Sequence, residues 1–205
     1  MLKIIALLGL LGLSTLANAE GGYDPVSPAQ PVQNPAKVEV IEFFWYGCPH
    51  CYSLEPAMVE WLKTKPANVE FIRQPAVFSE LWGKHAKAYY TAEALGVLDK
   101  VHADLFNTIQ EALRDKKPAL TDESDLAKFF AEHGVKDEDF RAAYNSFLVD
   151  AKLRQAESIG PRYGITGVPS LVVNGKYKVT AQSAKSQANM LNVVNQLIAQ
   201  ESPKK

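Results

Sequence analysis

Cys48 and Cys51 are the only cysteines in the 205-residue chain, and only Pro49 and His50 separate them. Four chemistries are open to such a pair: a structural cross-link, half of a metal site, attachment of a haem, or reversible thiol–disulfide exchange. A disulfide closing so short a loop removes little unfolded-state entropy, roughly 2 kcal/mol against about 4.7 kcal/mol for a 100-residue loop. A zinc site needs two further ligands, yet His85, His102 and His133 are scattered without paired spacing. Haem attachment requires a histidine directly after the second cysteine, where this chain has Tyr52. Thiol–disulfide exchange is the chemistry that the spacing and its context favour.

That context is a strand, a tight turn and a helix. Lys37 to Trp45 is an apolar, aromatic and β-branched run ended by Gly47, which predicts a buried strand. After Cys48, the residues Leu54, Met58, Trp61 and Leu62 recur at helical spacing as far as a stop at Lys63 to Pro66. The pair therefore falls at a helix N-terminus, where unpaired N–H groups and the positive end of the helix dipole stabilise an anion. A Cys48 thiolate is such an anion. Pro49 occupies a position that tolerates proline, and a protonated His50 adds positive charge beside the sulfur. Both influences depress the Cys48 pKa.

Val69 to Ile72 predicts a second strand that completes a parallel βαβ unit. From Ser79 to Gly164 the periodicity is helical, with breaks at Gly96, Lys117-Pro118, Gly134 and Gly160-Pro161, and four or five helices are expected. Leu81-Trp82 and Tyr89-Tyr90 in this stretch could border a peptide groove, although aromatics at such spacing more often serve the core. Past Pro169 the pattern returns to strand. Ser170 to Val173, an Asn174-Gly175 turn and Lys176 to Val179 predict a hairpin, and Met190, Leu191, Val194, Leu197 and Ile198 a closing amphipathic helix.

The ends and the overall charge narrow the setting. Lys3, the apolar run Ile4 to Leu16 and the small residues Ala17-Asn18-Ala19 predict a cleaved signal peptide over 1–19. The run is shorter than the roughly 20 apolar residues of a membrane span. Residues 20–36, with Gly21, Gly22, Pro25, Pro28, Pro31 and Pro35, read as a flexible leader, and Lys204-Lys205 as a frayed tail. With 22 basic against 23 acidic residues and a net charge of −1, nucleic acid is not an expected partner.

The residues Phe43-Phe44, Cys48-Pro49-His50-Cys51-Tyr52, Gly167-Val168-Pro169 and Val173-Asn174-Gly175-Lys176-Tyr177 resemble the DsbA family of periplasmic disulfide donors. The resemblance implies an α/β thioredoxin-like fold, residues 37–78 and 165–205, interrupted by an all-helical subdomain, residues 79–164. It implies a dithiol oxidase that works as a monomer in the periplasm on unfolded or partly folded exported proteins. The redox-active disulfide Cys48–Cys51 then stands in place of any cofactor or metal, and a DsbB-type, quinone-linked membrane oxidase restores it. A depressed Cys48 pKa and an oxidising potential come with the family.

Four further positions gain a role from the likeness. Pro169, preceded by Val168, matches the proline that lies cis against the cysteine pair and borders the substrate. Glu42, on the strand face of Val38, Val40 and Phe44 by alternation, matches an acid that relays protons to the interior cysteine. Glu55 matches a second family acid. The alternative for Glu42 is a carboxylate paired harmlessly with Arg73. Two other functions use or ignore the same residues: a disulfide isomerase or reductase, and a holdase that binds apolar segments without needing either cysteine.

Overall fold

The computed structural model describes residues 21–203; the expected signal peptide and the Lys204-Lys205 tail lie outside the described residues. Among these residues the sheet has five strands in the order β1-β5-β4-β2-β3. At its centre is β2 (Val38–Phe44), buried along its whole length. Its neighbours are β3 (Val69–Pro75), which runs parallel to it, and β4 (Ser170–Val173), which runs antiparallel. Both faces of β2 are covered, so it reads as a continuous apolar run broken only by Glu39 and Glu42.

Alternation sorts the β2 side chains into two cores. Val38 and Val40 pack with Leu54, Met58 and Trp61 of α1 (Pro49–Thr64) and with Val194, Leu197 and Ile198 of the last helix (Met190–Glu201). Ile41 and Phe43 face the other way, onto Val172, Tyr163 and Ile165. The β4–β5 hairpin (β5, Tyr177–Val179) turns at Asn174 and Gly175, both at positive φ as an Asn-Gly hairpin turn requires.

Five helices lie between β3 and β4: α2 (Glu80–Ala94), α3 (Leu98–Arg114), α4 (Glu123–Glu132), α5 (Asp137–Tyr144) and α6 (Phe147–Arg162); the closing helix Met190–Glu201 is α7. They build a third core, with Val101, Leu105, Phe106, Ile109 and Phe130 packed under Phe44, Tyr46 and the two cysteines. Tyr89 and Tyr90, at 5 % and 6 % exposure, belong to that core, and they also line a cavity with Arg73, Gln74 and Lys152. Trp82 lies flat on Trp45, with ring centroids 4.3 Å apart.

The leader departs from expectation. Its glycines and prolines suggested a flexible segment, but Asp24–Pro25 forms strand β1, paired antiparallel with β5, and Val26 is buried. The backbone N–H groups of Val26 and Gln30 donate to the carbonyls of Lys176 and Gly175 at 2.7 and 2.9 Å. The outer edge of β5 offers unpaired backbone groups, which a short segment of any composition can satisfy, and Pro25 is tolerated there because it lies on an edge. Gly175 makes the approach possible: a Cβ at this position would stand 2.1 Å from the Gln30 carbonyl oxygen.

Candidate active site

Cys48 is the residue that caps α1. After β2 ends, its backbone N–H donates to the Trp45 carbonyl at 2.9 Å, and its extended conformation (φ −85°, ψ 116°) lets Sγ accept from the Cys51 N–H at 3.4 Å. Pro49 opens the helix, and the first turn of α1 holds no acidic side chain, so the positive end of the dipole is left to the sulfur. The two thiols differ sharply. Hydrogen bonds from the Cys51 thiol and from the Cys51 and His50 N–H groups, aided by the charge of His50, overcome burial and hold the Cys48 pKa down at about 6. Burial, followed by the hydrogen bond to Cys48 and the charges of Cys48 and Glu42, pushes the Cys51 thiol well up. Cys48 is 7 % exposed and Cys51 1 %, so whatever access exists is to Cys48.

The Cys48 thiol donates to the Val168 carbonyl at 3.4 Å, which brings the 165–170 loop against the pair. The Val168–Pro169 peptide bond is cis. Beside it lies a cavity of about 280 Å³, lined by the exposed His50, by Gly167, Val168 and Pro169, and by Lys178 and Thr180 of the hairpin. A sulfur at a helix start beside a shallow, backbone-rich cleft is an arrangement that admits an extended peptide.

Beneath the pair lies a buried charge cluster. Arg73 of β3 stands opposite Glu42 in the strand register and makes a bidentate pair with Glu55 of α1, Nη1 to Oε2 at 2.8 Å and Nη2 to Oε1 at 2.7 Å. Glu42, 1 % exposed, has only the Arg73 charge at 3.5 Å. Burial raises its carboxyl to about 7, against the pull of Arg73 and with the help of the Glu55 charge. Glu55 goes the other way: burial would raise it, but the hydrogen bonds of His102 and Arg73 outweigh that and lower it. His102 of α3 contacts Arg73 through Nε2 and meets the Tyr46 hydroxyl through Nδ1 at 2.7 Å. Burial, aided by the Arg73 charge and opposed by the Glu55 hydrogen bond, lowers the His102 pKa.

Comparison with known proteins bears on this geometry. The DSBA-like thioredoxin domain family matches residues 39–194, a span that contains Glu42, the cysteine pair, Glu55 and Pro169. The chain belongs to the DsbA family. The thiol:disulfide interchange protein DsbA of Pseudomonas syringae is 42% identical over 179 residues, covering 87% of this chain and 82% of that protein. The crystal structure of Pseudomonas aeruginosa DsbA aligns with a TM-score of 0.79 at 39% identity, over 88% of this chain and 92% of that one. A Proteus mirabilis DsbA variant, solved with a non-covalently bound peptide of sequence PWATCDS, aligns at 0.72 and 29% identity over 90% and 97%. The chain is thus a protein disulfide oxidoreductase of thioredoxin-like fold. DsbA-family proteins use a redox-active disulfide, and the pair available here is Cys48–Cys51.

The DsbA fold brings together residues that the sequence keeps apart. His50, Val168 and Pro169 line one cleft, Cys48 is joined to it through the Val168 carbonyl, and Cys51, Glu42 and Glu55 are buried. Arg73 is not a private partner of Glu42, since it makes a bidentate pair with Glu55 and also contacts His102. Tyr46 and His102 were not singled out as site residues. Their signal is faint: a tyrosine two residues before Cys48, and a histidine within the apolar stripe Val101, Leu105, Phe106 and Ile109. Among the described residues, no cluster of three or more His, Cys, Asp or Glu side chains could hold a metal ion.

Proposed function

We propose that the chain is a dithiol oxidase of exported proteins that donates the Cys48–Cys51 disulfide to pairs of substrate thiols. A substrate thiolate attacks Cys48 Sγ, the Cys48–Cys51 bond breaks, and Cys51 departs with the bonding electron pair. The buried Cys51 thiolate takes up a proton, which Glu42, titrating near neutrality, is suited to supply. A second substrate thiolate then attacks the substrate sulfur of the mixed disulfide and Cys48 leaves as a thiolate. Two substrate thiols are oxidised to a disulfide, and the enzyme disulfide is reduced to a dithiol.

The observation that carries this reading is the asymmetry of the two sulfurs. A group that holds Cys48 as an anion stabilises the reduced enzyme and so makes its disulfide a stronger oxidant. His50, Val168 and Pro169 border the cleft that receives the substrate backbone, and the peptide bound by the Proteus relative, which contains a cysteine, suits that role. Reoxidation is assigned to a DsbB-type, quinone-linked membrane partner. Export through a signal peptide at 1–19 puts the mature monomer in the periplasm, and among the described residues no helix is long and apolar enough to cross a membrane.

The test is turnover of a reduced, unfolded dithiol protein by the oxidised chain, with both products counted as thiols and disulfides. An oxidase loses all activity on Cys48→Ala. A holdase keeps its effect on aggregation without either cysteine, and an isomerase acts on a scrambled substrate better than on a reduced one. Equilibration with glutathione gives the potential directly, and a value in the reducing range would sink the proposal.

A further inference from the structure

The segment before α7 is tied to the active helix by one side chain. Gln187, in a short 3-10 turn (Gln187–Asn189), donates from Nε2 to the His50 carbonyl oxygen at 2.9 Å and to Ser53 Oγ at 2.8 Å. Ser53 Oγ also donates to the His50 carbonyl, at 3.0 Å. A carbonyl oxygen only accepts hydrogen bonds, so the nitrogen of the Gln187 amide, and not its oxygen, faces it.

The identity of the acceptor gives this contact its interest. The His50 carbonyl and the Cys51 N–H are the two ends of one peptide group, and that N–H is the donor to Cys48 Sγ. Hydrogen bonds in series through a peptide polarise one another. Density drawn toward the oxygen by Gln187 and Ser53 leaves the N–H a better donor to the sulfur on the opposite side.

We propose that Gln187 is a positioning residue of the redox pair, which acts through the His50–Cys51 peptide to strengthen the hydrogen bond received by the Cys48 thiolate. Ser53 acts on the same oxygen. The inference rests on the reading of Cys48 and Cys51 as the redox pair, and it deepens that reading: the loop ahead of α7 tunes the oxidant as well as bordering the substrate cleft, where Gln187 also stands. Cooperative strengthening of about 10–30 % in one charge-assisted bond amounts to roughly a twofold change in the thiol–thiolate equilibrium, or about 0.3 pKa unit.

The test is the pH titration of Cys48 in the reduced, full-length protein, followed by the ultraviolet absorbance of the thiolate; Cys51, pushed upward, stays silent in that range. Gln187→Met keeps the length of the side chain and removes the donor; Gln187→Glu keeps its shape but presents an acceptor. Both should raise the Cys48 pKa by about 0.3 unit or more and lower the equilibrium constant with glutathione about twofold. Ser53→Ala removes one donor to the His50 carbonyl and one acceptor of Gln187 and should move it the same way, and the Gln187→Met/Ser53→Ala double variant should move it further. A lower urea midpoint with an unchanged Cys48 titration would make Gln187 a structural clip and overturn the inference. If instead the wild-type chain fails to oxidise a dithiol substrate, the oxidase reading fails while the titration still decides the role of Gln187.

Discussion

Glu42 and Arg73 stand 3.5 Å apart inside the protein, yet among the described residues Glu42 Oε2 has no hydrogen-bond partner. Arg73 directs its bidentate face at Glu55 and touches His102, and one guanidinium cannot satisfy two buried carboxylates fully. Glu42 is therefore attracted by a charge but not solvated by it. A carboxyl in that condition titrates near neutrality, where it can both give and take a proton.

The first prediction follows from the sign of that shift. The folded Glu42 pKa of about 7 lies above the ordinary 4.5, so the folded state binds more protons between these values and the group's contribution to stability falls as pH rises. The penalty is absent below 4.5 and complete above 7. Glu42→Gln in the oxidised protein, where no thiol titrates, should gain on wild type between pH 5 and pH 8. The gain should be up to the order of 3 kcal/mol, at about 1.4 kcal/mol per pKa unit. Urea unfolding at both pH values measures it, and a difference that stays flat with pH means Glu42 does not titrate there. The same variant should slow the exchange steps of Cys51 if Glu42 handles its proton.

Removing the cation is the complementary experiment. Arg73→Met leaves Glu42 and Glu55 buried without compensation, and breaking a buried pair in this way costs about 3–5 kcal/mol. Glu42→Gln in the Arg73→Met background should recover part of the loss, because one of the two stranded carboxylates is gone. A lowered urea midpoint with an unchanged slope is expected for the single variant. Additive effects in the double variant would show that the two side chains act independently.

How much of this was legible in the sequence depended on range. The cysteine pair at a helix start and the inward side of Glu42 follow from local spacing and alternation, and both are where that reasoning puts them. The sharing of Arg73 was not legible, because it needs the register of β2 against β3 and the position of α1 above them. His102 and Tyr46 meet across 56 residues, and nothing in either segment announces the other. The leader failed for a different reason. Composition measured what Asp24 and Pro25 lack in apolar surface, while the segment is held by backbone bonds to the free edge of β5.

The cysteines should behave unequally toward substrates. Cys51→Ala leaves Cys48 at the mouth of the cleft with no resolving partner, so disulfides between Cys48 and a substrate should accumulate. Cys48→Ala leaves a buried thiol held in its protonated form and should trap none. Non-reducing gels after exposure to unfolded thiol proteins would display the difference, and equal trapping would contradict the assignment of Cys48 as the attacked sulfur.

The last prediction concerns the balance between the two redox forms. Cys48 titrates at about 6 in the folded protein against an ordinary 9.0, so the unfolded state binds more protons between these values and the stability of the reduced form rises with pH across that window. The contribution is complete above 9.0 and is lost as pH falls through 6. It amounts to the order of 1 kcal/mol at pH 7 and about 2–3 kcal/mol at pH 8.5, with solvent at the open side of the sulfur reducing both. The oxidised form has no such group to titrate, and its short disulfide loop contributes roughly 2 kcal/mol at any pH. The two effects oppose each other and are similar in size near neutrality, so pH decides which form is the more stable. Urea unfolding of both forms should move the gap toward the reduced form by about 2 kcal/mol between pH 6 and pH 8.5. The oxidised form should itself lose stability over this range as the ionisation of Glu42 is completed, but Glu42 is common to both forms and its drift cancels in the gap. A gap that is constant with pH would mean that the folded protein does not favour the Cys48 thiolate, and the pair would then lack the driving force of a disulfide donor.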